Sequence, residues 1–248
     1  MKLVAGFLLL VTNSLNTDFM QRLSRDQRKK QNSSWSRRKI LLALLAGVLV
    51  YAGIDLFWRF NRDLRQFDPV ATGKLETDMW RSYYDRRPLK LFFELTEMLR
   101  TQYQFPRLRS YLGAYYATKA AFVFKDGKQR ADYEKALPAL ESYFTTIHRT
   151  GDINFNIKSA AKLELEWWIV HRQRERYGKA ALDTACANAA AAIYLVSPDS
   201  TFEHGRLRAE AMVIRDVQAA AGGVSEEEWA QIDILLQACY NSLSRAIR

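Results

Sequence analysis

The apolar segment 40–58, ILLALLAGVLVYAGIDLFW, constrains this chain more than any other feature. As a helix rising 1.5 Å per residue it reaches about 28 Å, close to the roughly 30 Å hydrocarbon thickness of a bilayer. Its one charged residue, Asp55, lies near the end, where a carboxylate can reach the interface. Tyr51, Phe57 and Trp58 fit an interfacial aromatic belt. A buried core helix is the alternative, but nothing here is polar enough to define an outer face. The segment therefore predicts a transmembrane helix.

Basic residues are concentrated before this segment. The chain has 37 Lys+Arg and 27 Asp+Glu, a net charge of +10. Residues 1–39 hold nine basic and two acidic side chains, which gives +7. Residues 40–58 hold only Asp55, which gives −1, and residues 59–248 hold 28 basic and 24 acidic side chains, which gives +4. The positive-inside rule then predicts a single-pass protein with a cytoplasmic N-terminus and an extracytoplasmic C-terminal domain. The basic tract 22–39 also fits a contact with anionic lipids on the same side of the membrane.

The first 19 residues have two interpretations. Residues 3–11 are apolar but too few to span a bilayer. They resemble the core of a signal peptide, although no small-residue cleavage site follows. The alternative is that translation begins at Met20, so that residues 1–19 are a mis-assigned start and the cytoplasmic tail is short and basic.

The remainder of the chain has the periodicity of helices. From residue 75 onward no segment alternates as a strand does, and 11 Gly and five Pro are few for a β fold with many turns. Asp68-Pro69 and Thr72-Gly73 predict a break, so that 59–74 is a stalk or linker. We expect an all-α domain over 75–248, an irregular bundle or stack of about eight helices paired as hairpins.

Local signals mark two of these helices. Pro138 is expected to bend or divide a helix over 129–147. Ser225 and Glu228 have the spacing of a capping box, and Val224 with Trp229 has that of a hydrophobic staple.

Cofactor and metal signatures are absent from the sequence. The three histidines do not form a Glu-x-x-His motif, and no phosphate-binding glycine loop or nucleophile elbow is present. We therefore expect no metal, no cofactor and no recognisable catalytic residue, which leaves enzyme activity open. Cys186 and Cys239 can pair as a disulfide in an oxidising compartment, or can be two small core residues.

One polar and aromatic cluster is the candidate site. Glu166 lies at the edge of an apolar stripe, so it needs a partner if buried, and Arg208 and Arg215 are candidates. Such a cluster is either a salt bridge of the bundle or a site for an anion or for acid–base chemistry. Its members are Trp80, Arg81, Tyr84, Glu166, Trp167, His171, Arg172, Arg215 and Asp216.

The expected function is binding or assembly at the membrane, with a membrane or envelope protein as partner. The alternative is a membrane-tethered helical enzyme or carrier that holds a small lipophilic or anionic ligand between helices. A cytoplasmic location of the domain is a third reading. Nucleic acid is not an expected partner, because the mild charge of residues 59–248 gives no strong field for phosphates.

Overall fold

The structure, a computed structural model, describes the backbone of residues 2–248 and the side chains of residues 20–22, 24–27 and 36–248. The side chains of residues 1–19, for which a mis-assigned start was considered, lie outside the described residues. So does the part of the basic tract at 23 and 28–35.

This part of the chain is all-helical, as expected, with 11 α-helices, one 3-10 turn at Glu134–Ala136 and no strand. The helices are α1 (Lys2–Phe57), α2 (Pro69–Tyr84), α3 (Pro88–Tyr103), α4 (Arg107–Asp126), α5 (Arg130–Tyr133), α6 (Leu137–Thr150), α7 (Ile157–Arg172), α8 (Arg174–Tyr177), α9 (Lys179–Tyr194), α10 (Phe202–Ala220) and α11 (Glu226–Ala246).

The chain divides into two units, Met1–Gly53 and Ile54–Arg248. Helix α1 makes up the first unit and continues into the second for its last turn. Within α1, Ser36–Phe57 is long and apolar enough to cross a membrane, and only 6% of it is buried. It is the one such helix among the described residues, and it overlaps the predicted segment 40–58.

The second unit is a ring of eight long helices, the number expected from the periodicity. Helices α2, α3, α4, α6, α7, α9, α10 and α11 pack in chain order, each against the next. Helix α11 then packs against α2, which closes the ring. The short helices α5 and α8 lie in the connections.

The expected break at Thr72-Gly73 is wrong, because α2 starts earlier and runs through it. Asp68 caps α2 by accepting the amides of Val70 and Ala71, each at 3.0 Å, and Pro69 follows. Gly73 serves a helix contact instead of a turn. A Cβ there would lie 2.6 Å from the Cα of Gln237 on α11, so only glycine lets the two backbones approach.

Residues 58–68, most of the predicted linker, pack against the domain. The amide of Phe60 donates to the carbonyl of Arg149 at 3.1 Å, and that of Arg62 to the carbonyl of Thr150 at 2.9 Å. Leu64 has no accessible surface. This segment is therefore part of the folded unit.

Other local predictions are confirmed. The helix expected over 129–147 is divided into α5, the 3-10 turn and α6. Pro138 lies in the first turn of α6, directly after this division. Ser225 and Glu228 form the reciprocal capping box, and Val224 and Trp229 share an apolar cluster at the start of α11.

Candidate functional site

A cavity of about 90 Å³ lies inside the helical ring. Its wall is built from five of the long helices after α2 together with the end of α11, and it combines aromatic, aliphatic and polar side chains. The lining residues are Met98, Gln102, Tyr103, Tyr143, Phe144, Glu164, Cys186, Ala189, Ala190, Ile193, Tyr194, His204, Arg208, Tyr240 and Leu243.

A buried ion pair joins α2 and α10 at this cavity. Arg208 Nη2 donates to Glu76 Oε1, and Glu76 is 1% exposed. Burial opposes the charge of Arg208, but Glu76 holds its pKa well above the usual value. Glu76 Oε2 and Arg208 Nε have no hydrogen-bond partner within the described part of the chain. Arg208 lines the cavity, so its Nε can donate a further hydrogen bond to water or a ligand there.

Glu164 on α7 is a second carboxylate in the wall. Its Oε1 accepts a hydrogen bond from Trp168 Nε1 at 3.0 Å. Burial raises its pKa, which Arg208 only partly offsets. Arg208 is already paired with Glu76, so the charge on Glu164 lacks a counterion of its own.

Four tyrosines surround these charges: Tyr103, Tyr143, Tyr194 and Tyr240. Burial raises the pKa of each of them, so their hydroxyls stay protonated and can donate. Tyr194 Oη also accepts from Gln102 Nε2 at 3.4 Å. Arg208 lies over the ring of Trp167, with Cζ 4.9 Å from the ring centroid. The wall thus presents aromatic faces as well as hydroxyl donors.

His204 is held neutral. Burial lowers its pKa to about 3, with Arg208 acting in the same direction. Its Nδ1 lies 3.2 Å from the carbonyl oxygen of Cys239, which fits a proton on Nδ1 and leaves Nε2 as an acceptor.

The structure holds Cys186 and Cys239 as free thiols, not as the disulfide considered from the sequence, and both are buried. Burial raises the pKa of Cys186 to about 12 and that of Cys239 well above its usual value. Both sulfurs therefore stay protonated and are poor nucleophiles.

The cluster predicted from the sequence assembles only in part, and away from the cavity. Asp216 Oδ2 lies 3.0 Å from His171 Nε2, and Asp216 Oδ1 lies 2.8 Å from Arg215 Nη1. Arg174 also donates to Asp216. Burial opposes the charge of Asp216, but the bonds from His171 and Arg215 hold its pKa below the usual value. Tyr84 joins this group, because the guanidinium of Arg215 lies over its ring.

The other predicted residues make separate contacts. Glu166 pairs with Arg130 at 2.9 Å on the surface, not with Arg208 or Arg215 as expected. Arg172 donates to the carbonyls of Phe124, Lys125 and Gly127 at the end of α4. Arg81 pairs with Glu226 and lies over Trp229. Trp80 packs in the apolar clusters between helices, and Trp167 alone reaches the cavity region, through Arg208.

Sequence reasoning missed Glu76, Glu164, His204 and the paired role of Arg208. One signal was available on α10. His204, Arg208 and Met212 recur at intervals of four, which places Arg208 on the same helix face as the apolar Met212. An arginine there requires a buried acceptor.

The cavity can bind a small molecule through charge, hydroxyl donors and aromatic faces together. Within the described residues, no group of three or more His, Cys, Asp and Glu side chains could hold a metal ion. Comparison with known proteins finds no matching family model, no similar curated protein and no similar solved structure.

Proposed function

We propose that this chain is a single-pass membrane protein whose helical domain binds a small organic cation in the cavity of the ring. The carrying observation is a charge imbalance at the cavity: Glu164 and Arg208 line it, and Arg208 is already paired with Glu76. With all three ionised, this group of side chains carries one net negative charge. Burial raises the pKa of Glu164, and the charge of Arg208 offsets this only in part. A bound ammonium group would supply a counterion.

The walls support the same ligand class. Tyrosine faces attract organic ammonium groups through cation–π interaction, and aromatic cages use this for methylated amines. A cavity of about 90 Å³ is smaller than the roughly 150 Å³ that accommodates benzene. The ligand therefore has only a few non-hydrogen atoms, as methylammonium has.

Binding, not catalysis, is the proposed role. The two candidate nucleophiles in this region, Cys186 and Cys239, are buried thiols with raised pKa values. A ligand held between helices was the alternative expected from the sequence. There the ligand was lipophilic or anionic, whereas the ligand proposed from the cavity is a cation.

Thermal unfolding of the full chain in lipid nanodiscs tests the proposal, with methylammonium chloride as probe and sodium chloride and sodium acetate as controls. We expect the midpoint temperature to rise with methylammonium and to saturate, because ligand binds only the folded state. Glu164→Gln should weaken binding about tenfold or more, since it removes a buried charge partner. Glu166→Gln, two residues away on the surface, should leave binding unchanged.

Three results would contradict the proposal. One is the absence of a saturable shift with any small amine. Another is an equal shift in both variants. The third is a larger stabilisation by acetate than by methylammonium. Because glutamine has nearly the volume of glutamate, Glu164→Gln is expected to fold.

The membrane placement belongs to the same proposal: Ser36–Phe57 spans the bilayer, the N-terminus is cytoplasmic and the ring lies on the other side. The basic tract before the span supports this orientation. Alkaline phosphatase fused after Arg248 should be active in cells, and a fluorescent protein that matures only in the cytoplasm should stay dark. The reverse pattern would place the domain in the cytoplasm.

Two further partners are proposed from the sequence: anionic lipids for residues 22–39, and a membrane or envelope protein for the domain. In-cell crosslinking followed by purification tests the second. A discrete crosslinked adduct supports it, and recovery of uncrosslinked monomer alone contradicts it.

A further inference from the structure

Helix α4 carries a row of exposed side chains along one face. Arg107, Tyr111, Tyr115 and Lys119 follow one another at intervals of four residues, and Phe122 continues the row. Tyr115 is 53% exposed and Phe122 is 59% exposed. The opposite face of α4 is buried in the ring, so this row points to the outside.

Helix α3 adds two apolar side chains beside this row. Leu89 is 77% exposed and Phe93 is 58% exposed. Phe92, next to Phe93, stacks on Tyr111 with ring centroids 6.3 Å apart, so the two rows adjoin. We call Leu89, Phe93, Tyr111, Tyr115 and Phe122 the α3–α4 aromatic surface. Exposed apolar side chains that adjoin in this way mark interaction sites.

This surface begins where the candidate span ends. Asp55, in the last turn of α1, accepts the amide of Leu108 at 3.2 Å and that of Arg109 at 2.8 Å. The guanidinium of Arg109 donates to the carbonyl of Trp58, a residue that is 64% exposed. The first turn of α4 is therefore attached to the residues at which the chain leaves the apolar helix.

The charges on the row favour an anionic partner. Arg107 and Lys119 have no ion-pair partner among the residues that the structure describes, and no acidic residue occurs on the row before Asp126. Tyrosine and phenylalanine interleaved with arginine and lysine suit the headgroup layer of a membrane, where rings lie among acyl chains and cations meet phosphates.

We propose that the α3–α4 aromatic surface rests in the headgroup layer of the anionic membrane that Ser36–Phe57 crosses. A second membrane contact of this kind is separate from the basic tract 22–39 and from the cavity. The inference rests on the proposed span and is independent of the proposed cation. Incorporation of the chain into nanodiscs checks the span on its own.

Site-specific fluorescence of the full chain in nanodiscs tests this inference. Tyr115→Cys carries an environment-sensitive label, and Ile234→Cys on α11 and Val217→Cys on α10 carry it as controls. Both control positions are well exposed, and the native Cys186 and Cys239 are buried. The nanodiscs contain phosphatidylcholine with or without phosphatidylglycerol, and lipids with a nitroxide near the headgroup act as quenchers.

We expect the nitroxide lipids to quench the label at position 115 and to leave the labels at 234 and 217 bright. Quenching should increase with phosphatidylglycerol and should fall in the Arg107→Gln/Lys119→Gln double variant. Equal quenching at all three positions overturns the inference. So does crosslinking between copies through position 115 without quenching, since that assigns the surface to a second copy of the chain.

Discussion

Each guanidinium nitrogen of the fully buried Arg109 donates a hydrogen bond to a different oxygen. Arg109 has no accessible surface. Its Nε donates to the carbonyl of Asp55 at 2.9 Å and its Nη1 to Thr150 Oγ1 at 3.1 Å, while Cζ lies 4.9 Å from the ring centroid of Phe60. Burial lowers the pKa of Arg109 to about 10, against the opposing effect of Asp55, so the guanidinium remains charged at neutral pH. It ties the end of α1 to α4 and α6.

Arg109→Met should destabilise the domain by about 3 to 5 kcal/mol, because it leaves buried acceptors without a donor. Urea unfolding of the full chain in nanodiscs, followed by tryptophan fluorescence, measures this loss. The matched control is Arg206→Met, whose guanidinium pairs with Glu203 and Glu210 on the surface of α10. It should change stability by less than about 1 kcal/mol. Similar losses in both variants would contradict the assigned role of Arg109.

His204 should make the domain sensitive to acid. Its folded pKa of about 3 lies below the unfolded value near 6.5, so the unfolded chain binds more protons between these two values. Stability is then full above pH 6.5 or so and falls as the pH drops toward about 3, by up to about 1.4 kcal/mol per pH unit.

His204→Asn keeps a donor near the Cys239 carbonyl and cannot titrate, so its stability should depend less on pH. Urea unfolding of both proteins at several values between about pH 7.5 and 4 measures the difference. Carboxylates such as Glu164 and Asp216 titrate in both proteins and cancel from it. A difference that stays constant over this range would count against the assignment.

Glycines set the closest helix contacts of the ring. Gly73 on α2 lets the backbone of α11 pack closely against it, and Gly205 on α10 does the same for α9. A Cβ on Gly205 would lie 2.3 Å from the carbonyl oxygen of Asp183. In both cases the neighbouring atoms belong to a backbone, which cannot rotate away as a side chain can. Neither contact accommodates a methyl group without moving a helix.

Gly73→Ala should therefore destabilise the domain by about 1 to 3 kcal/mol, although alanine favours a helix more than glycine does. Gly47→Ala in α1 is the control, since nothing lies within 4 Å of a Cβ there. Thermal unfolding in nanodiscs should show a lower midpoint for the first variant and no decrease for the second. A neutral Gly73→Ala would show that α2 and α11 can separate freely.

Elements with local chemistry were predictable from the sequence, and helix contacts were not. The capping box at Ser225 and the division at Pro138 depend on neighbouring residues, so their signals are local. The sequence around Gly73 is equally compatible with a turn and with a close contact to another helix. Only the presence of α11 decides between the two, and α11 is distant in the sequence.

The candidate site was missed for a related reason. Arg208 and Glu76 are separated by 132 positions, and ring closure alone brings α10 to α2. On α7 the periodicity could not decide between Glu164 and Glu166, because both flank the same apolar stripe. The packing of α6 and α9 against α7 turns Glu164 inward and leaves Glu166 to Arg130 on the surface. Which of two carboxylates on a helix faces inward therefore cannot be decided from that helix alone, because it depends on the helices that pack against it.

At the scale of the molecule, the two units follow different rules. The ring buries most of its large apolar side chains in apolar clusters, whereas Ser36–Phe57 exposes nearly all of its apolar surface. Water disfavours such a surface, and a bilayer favours it. The apolar surface of this helix therefore fits a bilayer, as the proposed span requires.

Leu45→Arg combined with Val48→Arg should release the chain from membranes. Each arginine near the middle of a span opposes insertion by about 2.5 to 3.5 kcal/mol. Alkaline carbonate extraction of cell membranes measures the soluble fraction, which should rise for this double variant. Ile234→Arg with Val217→Arg adds the same charge to exposed positions of the ring and should remain in the pellet. Extraction of both variants alike would remove the support for a span.

The cap that Asp55 provides for α4 also sets an order of events during synthesis. Asp55 leaves the ribosome 54 residues ahead of the Arg109 amide that it will bind. At typical elongation rates this interval lasts about 3 to 10 s. If Ser36–Phe57 spans the bilayer as proposed, the apolar helix can enter the membrane during that time, while only water at the interface solvates its terminal carboxylate. With the proposed span, insertion precedes this contact, and synthesis of α4 then supplies the amides that bind the carboxylate.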